Sequence, residues 1–416
     1  MITRQYFPHG DATSNVVHNL AKELLNRDID VSVMALTSRI EDVEVRNWEG
    51  VLIQNIYTPC SIDREQIKSE WKKHFLRTVY ATGQRAYSAI RGKLANDGRK
   101  LTINPSFENT LKKHILEYQD RMKVDLCIAT LMPIEASAAL MEACKKDVIV
   151  SIYQLDTYWN NDWLPAKYQN QRKQYEKHLI ECADYIVTTP LIKQVDDVMF
   201  SESSAKIISA EFPLVISDDQ QYEEYYSDHK IHCVYLGRLY KGVRPPELVV
   251  KTISKIDKIG AQFDFYGTGQ HLISMMPENE RNDEIIQLHG AVSSAEAKRI
   301  QNTADFLVNI DNTTIMQVPS KIFDYVSTGK PIINFYFNDD SPTLQYLKRY
   351  PNCISINVYG DLDSEAKKLE VFIQSSRKVQ IPFSEVKRLY EANTPEYVAD
   401  LFISKYLDIK QQKSTS

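Results

Sequence analysis

One stretch of the sequence decides the fold: Val318-Pro319-Ser320-Lys321-Ile322-Phe323-Asp324-Tyr325-Val326-Ser327-Thr328-Gly329-Lys330-Pro331-Ile332-Ile333. Ser320 is placed to cap a helix, and Gly329 is placed to end it. The apolar run at 331–335 that follows is typical of a buried strand. The stretch therefore predicts a loop, a short helix, a turn and a strand.

The start of this helix is a candidate anion site. The first turn of a helix offers free backbone N–H groups and the positive end of the helix dipole, which suit a phosphate. Lys321 adds a cation beside that position, and Asp324, one turn further on, can accept hydrogen bonds from a ribose. The alternative is an ordinary αβ unit that carries a Lys and an Asp on its surface.

Length and composition limit the classes of protein to consider. A chain of 416 residues is too long for one compact core, so about two domains are expected. The hydrophobic fraction of 43% and the charged fraction of 25% are typical of a soluble globular protein. The net charge of −5 does not favour nucleic acid as a partner. The six cysteines lack metal-ligand spacing, which favours the cytoplasm and predicts no metal site.

Short apolar runs alternate with amphipathic helical stretches, a pattern that predicts parallel α/β sheets. In the first half, the candidate strands lie at 30–36, 51–57, 125–130, 148–153 and 184–188. In the second half, they lie at 233–237, 263–266, 285–289, 306–310, 331–335 and 353–356. Each set has the makings of one doubly wound domain, so the prediction is α/β with two doubly wound Rossmann-like domains.

A change of composition near 212–230 marks the predicted seam between the domains. Pro213 breaks the chain there, and the run at 217–221 is polar. We therefore predict a first domain at 1–212, a linker at 213–230 and a second domain at 231–382. The last segment, 383–416, is predicted to be a helix that crosses back onto the first domain and ends in a frayed tail.

The segment 61–121 fits neither predicted sheet and is interpreted as a helical insertion. Between 63 and 100 it carries ten cations and four anions, in a chain whose total charge is negative. Apolar residues recur there at helical spacing. A basic amphipathic helix of this kind favours a peripheral contact of 61–100 with an anionic membrane surface. The alternative is a helical hairpin that packs on the domain and leaves its cations in water.

An ordered series of motifs in the second half resembles a known family. The series comprises Gly237-Arg238-Leu239-Tyr240-Lys241-Gly242-Val243-Arg244-Pro245-Pro246, Phe265-Tyr266-Gly267-Thr268-Gly269, Leu288-His289-Gly290-Ala291-Val292 and Ala304-Asp305-Phe306-Leu307-Val308-Asn309-Ile310. It resembles the nucleotide-sugar domain of GT-B glycosyltransferases, close to the family-four retaining enzymes of bacterial polysaccharide biosynthesis. The loop at 3–15 resembles that group's first loop. The resemblance is specific over 232–340, weaker over 1–58 and 125–212, and absent over 61–121.

The resemblance implies a donor site. In that family an Arg and a Lys after the first strand of the second domain hold the donor diphosphate. Arg238 matches the Arg, and either Lys241 or Arg244 supplies the second cation. The other implied donor-binding residues are Gly10, Gly267, Val292, Gln317, Ser320, Lys321 and Asp324. Of these, Val292 lies where backbone groups read the base. Cations suit this task because a departing nucleoside diphosphate gains negative charge.

The sequence departs from the family pattern at two places. Asp324 matches the second Glu of the family's Glu-x7-Glu pair, but Met316 stands at the first, which leaves Gln317 or Asn312 to contact the sugar. Many relatives carry a His in the loop after an amino-domain strand, where this chain has Gln154 and Asp156. We interpret Asp156 either as the group that positions or deprotonates an acceptor hydroxyl, or as a cap of the next helix.

Together these matches imply a glycosyltransferase. The cysteine usage places it in the cytoplasm, and a peripheral contact of 61–100 with the inner face of the membrane stands as one of the two alternatives for the basic segment. The implied substrates are a UDP- or GDP-linked sugar and a hydroxyl of a glycan or lipid-linked glycan, as in capsule or O-antigen assembly. The resemblance implies retention of configuration, with no cofactor and no metal. The candidate catalytic residues are Asp156, Gln154 and Arg238, and the donor is expected at the carboxyl ends of both sheets.

Two other functions stay open. The departures at Met316 and Gln154 are compatible with a non-catalytic partner subunit of GT-B shape, and the architecture is also that of nucleotide-sugar epimerases. Nucleotide release in the presence of an acceptor favours the transferase. Release of a C2-epimer favours the epimerase, and tight complex formation without turnover favours the subunit.

Overall fold

The computed structural model describes residues 1–7, 10–37, 45–57, 105–161, 166–218, 220–256, 259–315, 317–377 and 379–415, together with positions 75, 76, 79, 82, 83 and 86. The chain forms two compact units. Unit 1 comprises Met1–Pro213 and Pro395–Ser416, and unit 2 comprises Leu214–Thr394.

The sheet of unit 1 has eight strands in the order β3-β4-β2-β1-β5-β6-β7-β8. All neighbouring pairs are parallel except β3 with β4. The strands are β1 (Ile2–Thr3), β2 (Ser32–Thr37), β3 (Val45–Trp48), β4 (Val51–Tyr57), β5 (Leu126–Thr130), β6 (Ile149–Gln154), β7 (Tyr185–Thr188) and β8 (Ile207–Ser209).

The sheet of unit 2 has six strands, all parallel, in the order β11-β10-β9-β12-β13-β14. This is the order of a doubly wound nucleotide-binding sheet. Successive strands are added towards one edge from β9 to β11 and towards the other edge from β12 to β14, so the order switches between β9 and β12. The strands are β9 (Ile231–Leu236), β10 (Ala261–Tyr266), β11 (Ile286–Gly290), β12 (Phe306–Ile310), β13 (Ile332–Tyr336) and β14 (Cys353–Asn357).

Helices connect the strands in both units. Those of unit 1 are α1 (Ala12–Asn26), α2 (Pro105–Arg121), α3 (Ile134–Ala143), α4 (Gln169–Cys182) and α5 (Pro190–Met199). Those of unit 2 are α6 (Glu247–Ser254), α7 (His271–Ser274), α8 (Ser294–Thr303), α9 (Lys321–Ser327), α10 (Pro342–Lys348), α11 (Leu362–Ser376) and α12 (Phe383–Leu389). The chain then returns to unit 1 as α13 (Pro395–Thr415). Short 3-10 turns occur at Ala166–Tyr168, Ser201–Lys206, Glu278–Glu280 and Glu391–Asn393. Among the described helices, none has both the length and the apolar character needed to cross a bilayer.

The two doubly wound domains predicted from the sequence are confirmed. Every candidate strand corresponds to an observed one within two residues, because most of them are apolar runs buried on both faces of a parallel sheet. The core of unit 2 shows this burial, since Phe263, Phe306 and Ile333 are all fully buried between the helical layers. Strands β1, β3 and β8 have no counterpart among the candidate strands. Strand β3 is the antiparallel edge strand. Its sequence, Val45-Arg46-Asn47-Trp48, contains no continuous apolar run.

The predicted insertion at 61–121 extends too far at its carboxyl end, because its last part is a core helix of unit 1. Helix α2 precedes β5 and packs on α3, with Phe107, Leu111 and Ile115 in the core of unit 1. Its apolar face was there in the sequence, but the basic segment before it obscured the boundary. Most of the rest of the segment, including the basic stretch at 61–100, lies outside the described residues.

Two other boundaries differ from the prediction. Most of the predicted linker, from residue 214 onward, belongs to unit 2. The predicted single helix at 383–416 is two helices, α12 and α13, separated by a turn at Glu391–Asn393. Pro395 explains the break, since proline suits the first turn of a new helix and cannot continue an old one. Helix α13 packs against α1 in unit 1.

Candidate functional site

Two loops of unit 2 meet backbone to backbone at the carboxyl ends of β9 and β10. The Gly237 N–H donates to the Tyr266 carbonyl at 2.9 Å, and the Leu239 N–H donates to the Thr268 carbonyl at 2.9 Å. Gly267 has a φ of +122°. A Cβ atom there would collide with the carbonyl group of Gly237. Only glycine allows this close approach, so the backbone of both loops is held at the strand ends, where ligands of such sheets bind.

Lys321, the first residue of α9, reaches the same place. Its ammonium lies 3.5 Å from the carbonyl oxygen of Leu236 and 3.9 Å from the centre of the Tyr235 ring. Burial lowers the pKa of Lys321 well below its ordinary value, and the nearby charge of Arg244 lowers it further, while Asp311 opposes the shift. Among the described residues, the Leu236 carbonyl is the one hydrogen-bond acceptor of this ammonium.

Arg244 and Asp311 complete this cluster. Arg244 ends a tight hairpin in which its backbone pairs with Tyr240 in both directions. The Nε atom of Arg244 is buried and has no hydrogen-bond partner in the part of the chain that the structure describes. Asp311, directly after β12, is 1% exposed and accepts hydrogen bonds from Ser341 and Thr343. Burial raises the pKa of Asp311, and these hydrogen bonds and Arg244 oppose the rise.

Arg238 lies on the loop between β9 and α6 and is exposed. Its Nε donates to the Thr268 hydroxyl at 2.9 Å, and Nη1 donates to the Tyr240 hydroxyl at 3.0 Å. Neither partner carries a charge, so they orient the guanidinium without neutralising it. The two alternatives for the second cation differ in place: Lys241 lies exposed at the turn of the hairpin, whereas Arg244 lies with Lys321.

The start of α9 differs from the prediction in one respect. Ser320 precedes the helix but already has helical dihedral angles, φ −55° and ψ −26°, and its side chain makes no capping hydrogen bond. The predicted side-chain cap is therefore wrong, because capping needs an extended residue whose side chain reaches back to the first turn. The predicted end of the helix is confirmed, since Gly329 follows Thr328 with a φ of +72°.

Asp324 lies one turn after Lys321 and faces a groove of about 600 Å³ within unit 2. Among the described residues, no donor is hydrogen-bonded to its carboxylate. Burial raises the pKa of Asp324 to about 6, and Lys298, on α8, opposes the rise. A half-buried carboxylate in this situation gains from a ligand that donates hydrogen bonds, as a ribose does.

Three residues predicted to contact the base or the sugar are described by the structure: Val292, Gln317 and Asn312. Val292 lies between β11 and α8 and is half-buried. Gln317 is exposed, and its carbonyl accepts a hydrogen bond from the buried side chain of Asn312 at 3.3 Å. Met316 lies outside the described residues.

Gly10 lies in unit 1 immediately before the capped end of α1. Asp11 accepts from the Ser14 N–H at 3.0 Å, and the Ser14 hydroxyl accepts from the Asp11 N–H at 2.9 Å. A Cβ atom at Gly10 would stand 2.7 Å from Cβ of Ser14. Gly10 is thus needed for local packing, whether or not a ligand approaches it.

Gln154 is not accessible in the way that a substrate contact requires. Its side chain is 1% exposed, and its Nε2 donates to Glu176 at 2.8 Å. A direct catalytic role for Gln154 is therefore not supported, because its amide is already committed inside unit 1. Asp156 follows on the loop after β6 and is half-buried. It does not cap the next described helix, α4, whose N-cap is Tyr168.

The loop after β6 is held by two buried ionisable residues that the sequence did not single out, Glu176 and Arg172. Glu176 accepts the N–H groups of Tyr158 at 3.0 Å and Trp159 at 2.6 Å. Arg172, one turn earlier on α4, donates to the carbonyls of the same two residues at 3.1 and 3.2 Å. The spacing of four on one helix was the only signal in the sequence. Among the described residues, no three His, Cys, Asp or Glu side chains converge as metal ligands would.

Comparison with known proteins supports the fold. No protein-family model matches the chain, and no curated protein sequence matches it significantly. Solved structures do match over nearly their whole length. Sucrose-phosphate synthase from Thermosynechococcus elongatus has a TM-score of 0.62 at 12% identity, with 100% of each chain covered. The trehalose-6-phosphate structure from E. coli bound with UDP-2-fluoro glucose has a TM-score of 0.58 at 11% identity, with 99% of each covered. The apo lipopolysaccharide outer core galactosyltransferase WaaB has a TM-score of 0.55 at 12% identity, with 98% of each covered. At these identities the matches confirm the GT-B fold and carry no further.

Proposed function

We propose that this protein is a glycosyltransferase that moves a sugar from a UDP- or GDP-linked donor to a hydroxyl of a glycan or lipid-linked glycan. Transfer proceeds with retention and uses protein cations instead of a metal. The acceptor side is assigned by analogy, since one protein of the same fold is a lipopolysaccharide outer core galactosyltransferase. The enzyme works in the cytoplasm, with the basic segment 61–100 resting on the inner face of the membrane.

The observation that carries this proposal is the cluster of cations at the end of β9. Lys321 and Arg244 lie together beside the Gly237 loop, and Arg238 stands on the same loop with uncharged partners. A departing diphosphate needs positive charge that does not have to reorganise during the reaction. Fixed cations next to glycine-rich backbone at the carboxyl ends of parallel strands supply that charge.

Arg238 is assigned to the developing charge on the leaving group. Its guanidinium is oriented by Thr268 and Tyr240 and can clamp phosphate oxygens in a bidentate manner. Asp324 is assigned to the ribose and Val292 to the base. On the acceptor side, Asp156 is the candidate that positions or deprotonates the hydroxyl, and Gln154 supports the loop through Glu176.

The test is a screen of UDP- and GDP-linked sugars for thermal stabilisation, since a ligand that binds the native state raises its stability by mass action. The donor that stabilises the protein is then assayed for nucleotide release with glycan acceptors. We expect Arg238→Ala to lose about 3 kcal/mol of transition-state stabilisation, as for an anion-stabilising donor elsewhere. Absence of stabilisation by every nucleotide, or unchanged turnover in Arg238→Ala, contradicts the proposal.

A non-catalytic, nucleotide-binding partner subunit is the second candidate. The burial of Gln154 favours it. Of the two residues that stand where many members of the resembled family carry a His, Gln154 and Asp156, Asp156 is then the one left to meet a substrate. Stabilisation by a nucleotide sugar without turnover, across a panel of acceptors, supports this second function. Release of a C2-epimer supports an epimerase instead.

A further inference from the structure

A segment that the sequence presents as a polar linker is docked on the sheet of unit 2. We call residues 222–228 the tyrosine strap. The ring of Tyr226 lies parallel to that of His232, with centroids 3.6 Å apart and an interplanar angle of 12°. The hydroxyl of Tyr226 lies 3.1 Å from that of Tyr266, on β10.

Arg299 fastens the other end of the strap. It donates to the carbonyls of Glu223 at 3.0 Å and Glu224 at 2.8 Å, and its guanidinium lies 5.4 Å from the centre of the Tyr225 ring. The Tyr225 hydroxyl donates to Glu296 at 3.3 Å. The strap is therefore held by specific contacts to β9, β10 and α8.

His232 stands between two carboxylates. Its Nδ1 lies 2.7 Å from Oδ2 of Asp264, and its Nε2 lies 2.7 Å from Oδ1 of Asp228. A neutral imidazole carries one N–H, whereas an ionised carboxylate only accepts. Both short contacts are satisfied only when both ring nitrogens carry a proton. The geometry therefore requires His232, which is 3% exposed, to be an imidazolium.

Asp264 extends the chain of hydrogen bonds to a third strand. It is fully buried, and its Oδ1 accepts from His289 at 2.7 Å and from Gln262 at 2.8 Å. His289 stacks on Tyr266 at 4.3 Å and stands directly before Gly290, where the loop that carries Val292 begins. The strap and that loop thus share one network of hydrogen bonds, with Asp264 at its buried centre.

Other charged and titratable groups surround His232 and its partners. They are Glu224, Asp228 and Lys230 on the strap and just after it, Asp264 and Tyr266 on β10, and His289 on β11. A groove at the amino ends of the strands adds Asp305, Lys330 and Arg377. Arg377 is paired with Asp305, and Lys330 donates to the carbonyl of Ala304. The contacts to the imidazole nitrogens therefore come from Asp264 and Asp228 alone among the described residues.

We propose that the His232 imidazolium is a proton-dependent latch that holds the tyrosine strap on the sheet of unit 2, and that loss of its proton releases the strap. A neutral His232 serves only one carboxylate and leaves the other facing a lone pair. It also loses the attraction between a cation and the face of the Tyr226 ring. The second loss falls on the strap, to which Tyr226 belongs. The first also does so when the remaining proton stays on Nδ1, facing Asp264, because Asp228 then faces the lone pair of Nε2.

The pH dependence follows from the directions of the shifts. Burial opposes the charge on His232, but the hydrogen bonds to Asp264 and Asp228 outweigh it and raise the pKa of His232. The latch is therefore complete at pH values below the ordinary pKa of an imidazole. It is lost as the pH rises through the pKa of His232 in the folded state. The same contacts lower the pKa values of Asp264 and Asp228, so the latch opens in acid only below the ordinary carboxyl range.

The first experiment observes the full-length protein without any ligand. Nitrogen-15 spectra of labelled histidine report whether both ring nitrogens of His232 are protonated at pH 7. Cleavage by chymotrypsin after the tyrosines of the strap, expressed as protection relative to an unstructured peptide of the same sequence at each pH, reports docking of 222–228. We expect His232 to be an imidazolium at pH 7 and the protection of the strap to be lost by pH 9.

Three variants make the test sharp. Asp228→Asn removes the exposed outer carboxylate, and its amide can donate to a neutral ring nitrogen, so protection should persist at pH 9. His232→Gln should lose protection at both pH values, and His271→Gln, at an exposed position, should behave as the wild type. A neutral His232 at pH 7, equal wild-type protection at pH 7 and 9, or loss of protection at pH 9 in Asp228→Asn would each overturn the proposal. Asp228→Asn keeps it testable even if His232→Gln fails to fold.

Discussion

The ammonium of Lys321 lies 3.9 Å from the centre of the Tyr235 ring, at the end of β9 and beside the Gly237 loop. The aromatic face holds the cation in place without neutralising it, so its charge stays available to an anion.

Replacing Lys321 with Met removes this charge and keeps most of the side-chain volume. We expect the affinity for UDP to fall by about 2 kcal/mol, roughly thirtyfold in Kd, as for a lost charge-assisted hydrogen bond. Isothermal titration measures the change. Lys348→Met, at an exposed end of α10, is the matched control and should bind as the wild type. Equal affinities of the two variants for UDP would show that Lys321 does not contribute to UDP binding.

Binding of a diphosphate should be coupled to proton uptake. Burial, with Arg244 next in effect, lowers the pKa of Lys321 in the free protein. A bound anion favours the charged ammonium and raises that pKa again. In mildly alkaline solution a proton is therefore taken up on binding. Titrations in buffers of different ionisation enthalpy measure its number, which should fall to near zero in Lys321→Met. Uptake that is the same in both proteins assigns the proton to another group.

Asp324→Asn should separate recognition of the ribose from recognition of the phosphates. The carboxylate has a pKa of about 6, so it is mainly ionised at pH 7.5 and accepts hydrogen bonds from ribose hydroxyls. We expect UDP to bind about tenfold more weakly to the variant, since a hydrogen bond to a charged group is lost. Inorganic pyrophosphate, which has no ribose, should bind with unchanged affinity. Equal losses for both ligands would show that the substitution disturbs the site as a whole and that Asp324 does not read the ribose, since removal of a negative charge does not by itself weaken the binding of an anion.

Gly267→Ala should destabilise unit 2 more than an ordinary glycine substitution does. Both Gly267 and Gly260 have positive φ, at +122° and +73°, but only at Gly267 would a Cβ atom collide with backbone. Gly260→Ala therefore measures the conformational cost alone, about 1–2 kcal/mol. We expect a larger loss for Gly267→Ala in urea unfolding. Equal losses would mean that the Gly237 loop moves aside freely, which a preorganised phosphate site does not allow.

The sequence predicted the sheets well because buried parallel strands are continuous apolar runs, and it predicted the place of Lys321 because a short helix with a Gly end is a local signal. It left Lys241 and Arg244 as alternatives, since the loop spacing is ambiguous until the Tyr240–Arg244 hairpin is known. That pairing places Lys241 at the exposed turn and brings Arg244 to Lys321.

Other features depend on contacts between distant residues and were therefore not predicted. Asp311 is held beside the cluster because Ser341 and Thr343, at the start of α10, donate hydrogen bonds to it. The tyrosine strap was taken for a linker because its composition is polar, and only the sheet shows that Tyr226 has a stacking partner in His232. Gln154 was assigned to the substrate from its position in the chain, whereas its amide is bonded to Glu176, 22 residues later.

Glu176 should give unit 1 a stability that declines as pH rises. Burial is the main cause that raises the pKa of Glu176 to about 8, with the charge of Asp196 second, and three N–H donors oppose the rise. Burial likewise raises the pKa of Asp196 to about 7. In the unfolded chain both groups lose their protons near the ordinary carboxyl values. Between about pH 4.5 and 8 the folded state therefore binds more protons than the unfolded state, and the free energy of unfolding falls by roughly 1.4 kcal/mol per pH unit for each proton.

The variant Glu176→Gln tests this, because its side chain cannot titrate. The slope of its unfolding free energy against pH should be shallower by about one proton, whatever its absolute stability. Glu181→Gln, at an exposed position on the same helix, should keep the wild-type slope. A wild-type slope in Glu176→Gln would mean that Glu176 is ionised in the folded state and that its three hydrogen bonds outweigh its burial.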